Sequence, residues 1–219
     1  MKILVAIPFL CGRESSYETI KALGEVDIFA LNNGARDEVI DVLNRFKFHK
    51  RVDLSQNIYV NPAWNIFMKY FLESDYDRLI IMNNDLVVCK EWKEVCDMVW
   101  TENPDTIILP NLSENGESVG GKVTSGTPGV FITLNKKQSE MVYPIPDYIK
   151  VWYGDDWIFS ILRAFYDTII ISDMKARHYG SMSIKEQDIF DQIDKDKIEW
   201  ASKGQKDIEE RIKQIKNDR

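Results

Sequence analysis

Apolar runs alternate with stretches of helical periodicity from the first residues onward. Residues 2–9, KILVAIPF, form a continuous apolar run of the buried-strand type. Ser15 and Glu18 have the spacing of a capping box in front of YETIKAL, and Gly24 supplies the stop. VDIFALN at 26–32 reads as a second strand, and RDEVIDVLNRF at 36–46 as a helix. After a short extended piece at RVDLS, Asn61 and Pro62 make a good N-cap and first helical residue. Trp64, Phe67, Met68 and Phe71 then recur at helical spacing and should face a sheet.

The rhythm continues with a strand at RLIIM, a helix around EWKEVCDMVW and a strand at TIILP. Strand, helix, strand in this order predicts an α/β fold with a mostly parallel sheet flanked by helices. Ligands in such sheets collect beyond the carboxyl ends of the strands. The loop after Phe9, Asn32-Asn33-Gly34 and Asn83-Asn84-Asp85 all fall at such ends.

The second half changes character. Residues 111–127 are rich in Gly, Ser and Asn and read as a loop over a site. PGVFITLN is a strand, GDDWIFSILRAFY opens a helix, TIIIS returns to the sheet, and KARHYGSMS reads as a short strand and loop. From residue 184 mixed charge dominates, and Ile208, Ile212 and Ile215 mark a terminal amphipathic helix. The expected division is an α/β domain over 1–183 and a charged helical extension over 184–219. That terminal helix is a candidate for pairing with a second copy of the chain.

A length of 219 residues suffices for one substantial core. The net charge of −7 argues against a general-purpose nucleic-acid binder, although a local basic groove remains compatible with it. Cys11, Cys89 and Cys96 are an odd count without metal-type spacing, which suits free thiols in a reducing compartment. The opening apolar run is short, is interrupted by Pro8 and is followed by no small-residue cleavage site, so it reads as a strand rather than a leader. No later stretch approaches the ~20 apolar residues needed to span a bilayer. The expected location is cytoplasmic.

Several clusters could carry chemistry, and each has a plainer reading. In LIIMNNDLVV the apolar run breaks at Asn83-Asn84-Asp85, either as a polar turn or because Asp85 holds a divalent cation. Asp155-Asp156, next to Trp152, Tyr153 and Trp157, could present a general base in a sugar-facing corner. The alternative is helix capping, with Asp155 as N-cap and Asp156 in the first turn. His178 is either a structural histidine or a second metal ligand. Asn32 and Asn33 could bond a nucleobase edge or simply make an Asn-Gly turn.

In their order along the chain these segments resemble the nucleotide-sugar glycosyltransferases of the GT-A (Rossmann-like) fold, in particular family two and its small bacterial and phage relatives. VAIPF is similar to the family's first strand, and LNNGARDE stands at the end of its second. QNIYVNPAWN resembles the Asn-rich segment before the metal strand, with Asn57 and Asn65. Asn83 and Asp85 match a degraded Asp-x-Asp signature, Asp155-Asp156 the acidic pair opening a helix, and His178 with Ser183 the closing histidine segment. DKDKIEWASKG is similar to a late Lys-Trp-Gly segment.

The resemblance implies an inverting sugar transfer from a nucleotide-diphosphate donor to a saccharide or glycolipid hydroxyl. It implies Asp85 and His178 as ligands of Mn²⁺ or Mg²⁺, and Asp156 as general base beside Asp155. Pro8, Phe9, Asn32, Asn33, Asn57, Asn65, Asn83, Asn84 and Trp152 fall where the donor would be bound. The loop near Gly120, Gly121, Gly126 and Gly129 would close over it. Two rival readings stand beside this one: an acceptor base in hydroxymethylated phage DNA, and a sugar-nucleotide or glycan-binding module without turnover. A nucleotidyltransferase would need a Gly-rich basic loop after the first strand, and FLCGRES has only Gly12 and Arg13.

Overall fold

The computed structural model describes residues 1–112, 121–122, 129–180 and 187–218. Gly120, Gly126 and Ser183 lie outside the described residues.

The chain opens as β1 (Ile3–Phe9), α1 (Arg13–Leu23), β2 (Asp27–Asn33), α2 (Asp37–Leu43) and β3 (Lys50–Leu54). It continues through α3 (Val60–Glu73), β4 (Arg78–Met82), β5 (Leu86–Val88), α4 (Trp92–Glu102) and β6 (Ile107–Asn111). Then come β7 (Gly121–Lys122), β8 (Phe131–Asn135), α5 (Lys136–Val142), α6 (Gly154–Arg163) and β9 (Thr168–His178). Two helices, α7 (Gln187–Glu199) and α8 (Gln205–Asn217), are joined by a π-helical turn at Trp200–Gly204.

The main sheet has the order β3-β2-β1-β4-β8. Its first three pairings are parallel, as short apolar runs separated by helices require, and β8 adds an antiparallel edge to β4. A second sheet, β5-β9-β6, pairs β9 in parallel with β6 and antiparallel with β5. The hydroxyl of Thr133 on β8 joins the two, accepting from the Ile108 N–H at 2.9 Å. The expected break between TIIIS and KARH does not occur. A single strand of 11 residues carries both, because its two halves pair with different neighbours.

Two helix starts differ from the sequence expectation. Helix α1 begins at Arg13 behind Gly12, so Ser15 lies inside the first turn and its hydroxyl donates to Gly12 O at 3.1 Å; no capping box forms. Helix α3 begins at Val60, not behind Asn61, because Tyr59 takes φ +70° and turns the chain two residues earlier. Its apolar stripe is where periodicity put it: Trp64, Phe67, Met68 and Phe71 are all buried in the core.

The tail belongs to the same core. Ile208 and Ile215 are buried, with Ile212 packed beside them, so the stripe expected to be open to a second copy is spent within the chain. Among the described residues no helix is long and apolar enough to cross a membrane.

Candidate active site

The carboxyl ends of β1, β2 and β4 open into one cavity of about 360 Å³. Pro8, Leu10, Cys11, Asn33, Asn57, Asn83, Asn84 and Asp85 line it from the strand ends and the loop before α3. Tyr59, Val60 and Trp64 follow from α3, and Val151, Trp152, Tyr153, Asp155 and Asp156 from the start of α6. Gly129 and Val130 before β8, and Ile189 of α7, complete the wall.

The Asn-Asn-Asp break divides its labour. Asn84 does the turn chemistry: its Nδ2 donates to Cys11 O at 2.7 Å and to Ser16 Oγ at 2.8 Å. Thr19 Oγ1 lies 3.1 Å from both Asn84 O and Leu86 O. The buried polar face of α1, with Ser16 and Thr19, is thereby spent holding this loop. Asp85 is left with its carboxylate at the cavity, only 5% exposed.

His178 is brought beside Asp85 by the antiparallel register that sets it opposite Leu86. The Tyr179 N–H donates to Asp85 O at 2.9 Å and locks that approach. His178 Nε2 lies 3.2 Å from Asp85 Oδ1, off the alignment of a hydrogen bond. The buried nitrogen therefore has no hydrogen-bond partner among the described residues. Nor does a third acidic, His or Cys side chain join the pair there, among those residues. A buried carboxylate and an imidazole nitrogen without a hydrogen-bond partner, converging on one point, have the donor chemistry that fits a divalent cation.

Asp155 and Asp156 both sit in the first turn of α6, whose N-cap is Tyr153 with φ +65°; Asp155 is not the cap. Asp155 Oδ2 accepts the Gly129 N–H at 3.0 Å and Oδ1 accepts the Asp156 N–H at 3.0 Å. Burial pushes the Asp155 carboxyl above the ordinary range, and the charge of Asp156 adds to this. Partial burial also raises Asp156, while the Arg163 guanidinium works against the shift. Trp152 stands 39% exposed at the cavity, with Lys197 Nζ 5.0 Å from its ring centre.

Other candidates are placed elsewhere or held differently. Phe9 is fully buried in the core. Asn32 Nδ2 donates to Asp53 at 2.9 Å, and its Oδ1 accepts the Ala35 N–H at 2.7 Å, so it builds the turn after β2. Asn65 clamps Ile145 through both its backbone groups, at 2.9 and 2.8 Å. Neither asparagine lines the cavity. Trp157 does not face the sugar corner; it is buried, with Nε1 donating to Val142 O at 2.8 Å. Asn33 and Asn57 do meet at the cavity, Nδ2 to Oδ1 at 3.0 Å. Gly34 permits this approach, since a Cβ there would lie 2.5 Å from the Asn57 backbone nitrogen.

Sequence reasoning did not single out Tyr59 as part of the site or Tyr153 as a strained residue. They are the two non-glycine residues with left-handed φ among those described, and both line the cavity. Such conformations cost about 1–3 kcal/mol each and persist where the surroundings over-determine them. For Tyr59 those surroundings are Asn57, which accepts its N–H at 2.8 Å, and Asn33, which donates to its carbonyl at 3.2 Å. No local signal in the chain marks either tyrosine.

This architecture is the GT-A fold. Among solved structures the chain resembles S. aureus TarS 1–349 in complex with UDP-GlcNAc, with a TM-score of 0.64 and 15% identity. That match covers 87% of this chain and 64% of the other. S. aureus TarS 1–349 in complex with UDP matches with a TM-score of 0.65 at 14% identity, over 80% of this chain and 59% of that one. GalNAc-T7 with UDP, GalNAc and Mn²⁺ gives 0.62 at 9% identity, over 85% and 46%. The chain thus spans less than two thirds of each of these proteins. No protein-family model matches it, and no curated protein sequence does.

Proposed function

We propose that the cavity binds a nucleotide-diphosphate sugar and that the chain acts as a glycosyltransferase, moving the sugar to an acceptor hydroxyl. One observation carries this reading: Asp85, with His178 beside it, and the Asp155-Asp156 pair meet at one cavity of a GT-A fold. The UDP and UDP-GlcNAc complexes of TarS, and the UDP, GalNAc and Mn²⁺ complex of GalNAc-T7, support a uridine-diphosphate sugar as donor.

Asp85 and His178 are the residues that would hold Mn²⁺ or Mg²⁺ against the donor diphosphate. When bound, such an ion supplies Lewis-acid stabilisation of charge on the leaving group. Asp156 takes the proton from the acceptor hydroxyl as its oxygen attacks the anomeric carbon opposite the diphosphate, which inverts that centre. Its raised carboxyl lies closer to the working pH, where a general base is most effective. Asp155, held by the Gly129 and Asp156 amides, fixes the turn from which Asp156 projects. Trp152 offers an exposed ring for a sugar to stack on, which supports a saccharide or glycolipid acceptor.

The test is thermal stabilisation by UDP, GDP, TDP and CDP, each with and without Mn²⁺. A ligand at ~100 times its Kd adds about 2.7 kcal/mol. That raises the melting point of a chain this size by several degrees, at roughly 2–4 °C per kcal/mol. UDP is expected to give the largest shift, and Mn²⁺ to increase it. If no nucleotide shifts the protein, the donor-site reading fails.

A further inference from the structure

We propose that Asp196, in the helical tail, is a positioning residue for the acceptor side of this site; the proposal rests on the glycosyltransferase reading. Asp196 is completely buried and does not line the cavity. Its Oδ2 accepts hydrogen bonds from three successive backbone amides: Lys150 at 2.9 Å, Val151 at 2.6 Å and Trp152 at 2.9 Å. Its Oδ1 accepts from Gln192 Nε2 at 2.8 Å, one turn away on α7. Three consecutive N–H groups aimed at one oxygen form an anion-binding nest, and a carboxylate in it makes stronger bonds than a neutral acceptor.

The carbonyls of the same segment go to Asn61 of α3. Asn61 Nδ2 donates to Ile149 O at 3.3 Å and to Trp152 O at 2.9 Å, while its backbone N–H donates to Lys150 O at 2.9 Å. Residues 149–152 are thus pinned between α3 and α7 by most of their backbone polar groups. On the glycosyltransferase reading, the acceptor side of the cavity is where Asp156 would act, and it begins at the end of this pinned segment. Trp152 comes first, then Tyr153, whose ring stacks on Trp200 with centroids 5.1 Å apart and planes 10° from parallel. Asp155 and Asp156 open α6 directly after. Asp196 acts through this segment and not on the reacting atoms.

The donor side stands on other supports, namely Asn84 on Cys11 and Ser16, and Asn33 on Asn57. Loss of Asp196 should therefore separate donor binding from turnover. A displacement of about 1 Å at a reacting centre can cost on the order of 10² in rate.

The experiment compares wild type with Asp196→Asn and Asp196→Ala by three readouts: UDP affinity, kcat for UDP release from UDP-GlcNAc, and amide hydrogen exchange. Expected are a UDP Kd within about two-fold of wild type and a kcat lowered by on the order of 10² in Asp196→Ala. Asp196→Asn, which keeps one acceptor oxygen for the nest, should fall between the two. Exchange should quicken at residues 150–152 and stay unchanged at 83–86. Wild-type kcat in Asp196→Ala, or UDP affinity lost in step with kcat, overturns the proposal. So does quickened exchange throughout Asp196→Asn, which would mark a purely structural role. If wild type binds neither UDP nor GDP, TDP or CDP, the glycosyltransferase reading fails. The exchange pattern of Asp196→Asn then decides by itself whether this carboxylate holds the segment.

Discussion

A Cβ on Gly154 would lie 2.1 Å from Oδ1 of Asn61. Gly154 begins α6, and Asn61 holds the carbonyls of the segment before it, so the first turn of that helix and the amide of α3 share one space. Asn61 is 1% exposed and cannot swing aside. Gly154→Ala is expected to cost about 1–3 kcal/mol, the range for overpacking a filled interior. A chemical denaturation midpoint that matches wild type would show that the contact relaxes freely.

Asp156→Asn should lose about 10²–10⁴ in kcat while folding normally, the usual worth of general-base assistance. Its effect on stability has a definite sign. Burial raises the folded-state carboxyl, so its favourable contribution is present below the unfolded pKa and is lost as pH rises through the folded value. The asparagine variant should therefore match or exceed wild type in Tm at neutral pH and lose that advantage in acid. Melting curves between about pH 3 and pH 8 test this, since an ordinary aspartate titrates near ~3.9. A variant less stable than wild type at neutral pH would contradict the raised carboxyl.

Asp85→Ala and His178→Ala should each remove the Mn²⁺-dependent part of UDP stabilisation and leave the shift by UDP alone. The reason is that the two side chains meet each other, His178 Nε2 being 3.2 Å from Asp85 Oδ1, while other residues form the rest of the donor wall. Calorimetric titration of Mn²⁺ into the UDP complex measures it directly. Undiminished Mn²⁺ binding in both variants would remove these residues from the ligand set.

Asn65→Ala should weaken the fold without changing nucleotide affinity. Its amide satisfies both backbone groups of Ile145, and leaving such buried groups unpaired costs about 1–3 kcal/mol. A UDP Kd raised in proportion to the stability loss would return Asn65 to the donor site.

The apolar pattern alone located β1 to β4, β6 and β8, the α3 stripe and the strand ends at which the cavity opens, but not the short β5 and β7 or the continuity of β9. Side chains at those ends were legible as candidates but not as neighbours. Asn32, Asn33, Asn57 and Asn65 look alike in the chain, yet only Asn33 and Asn57 line the cavity. The difference lies in what stands opposite each: Asp53 and the Ala35 amide for Asn32, Ile145 for Asn65. Asn61 looked like a helix cap because its local sequence suits one. Its actual partners, the carbonyls of 149 and 152, come from far along the chain.

By itself this sequence determined the alternation that makes an α/β sheet and the identity of the polar residues left at its carboxyl edge. Those are consequences of local periodicity, because burying an apolar run depends on the run itself. Tertiary structure decided which polar groups are already satisfied and which remain for a ligand. Asn84 and Asp85 are adjacent in sequence, but α1 consumes the amide of the first while β9 delivers His178 to the carboxylate of the second. Hydrogen-bond capacity is finite, so the chemistry left to a side chain depends on partners that only the folded chain supplies.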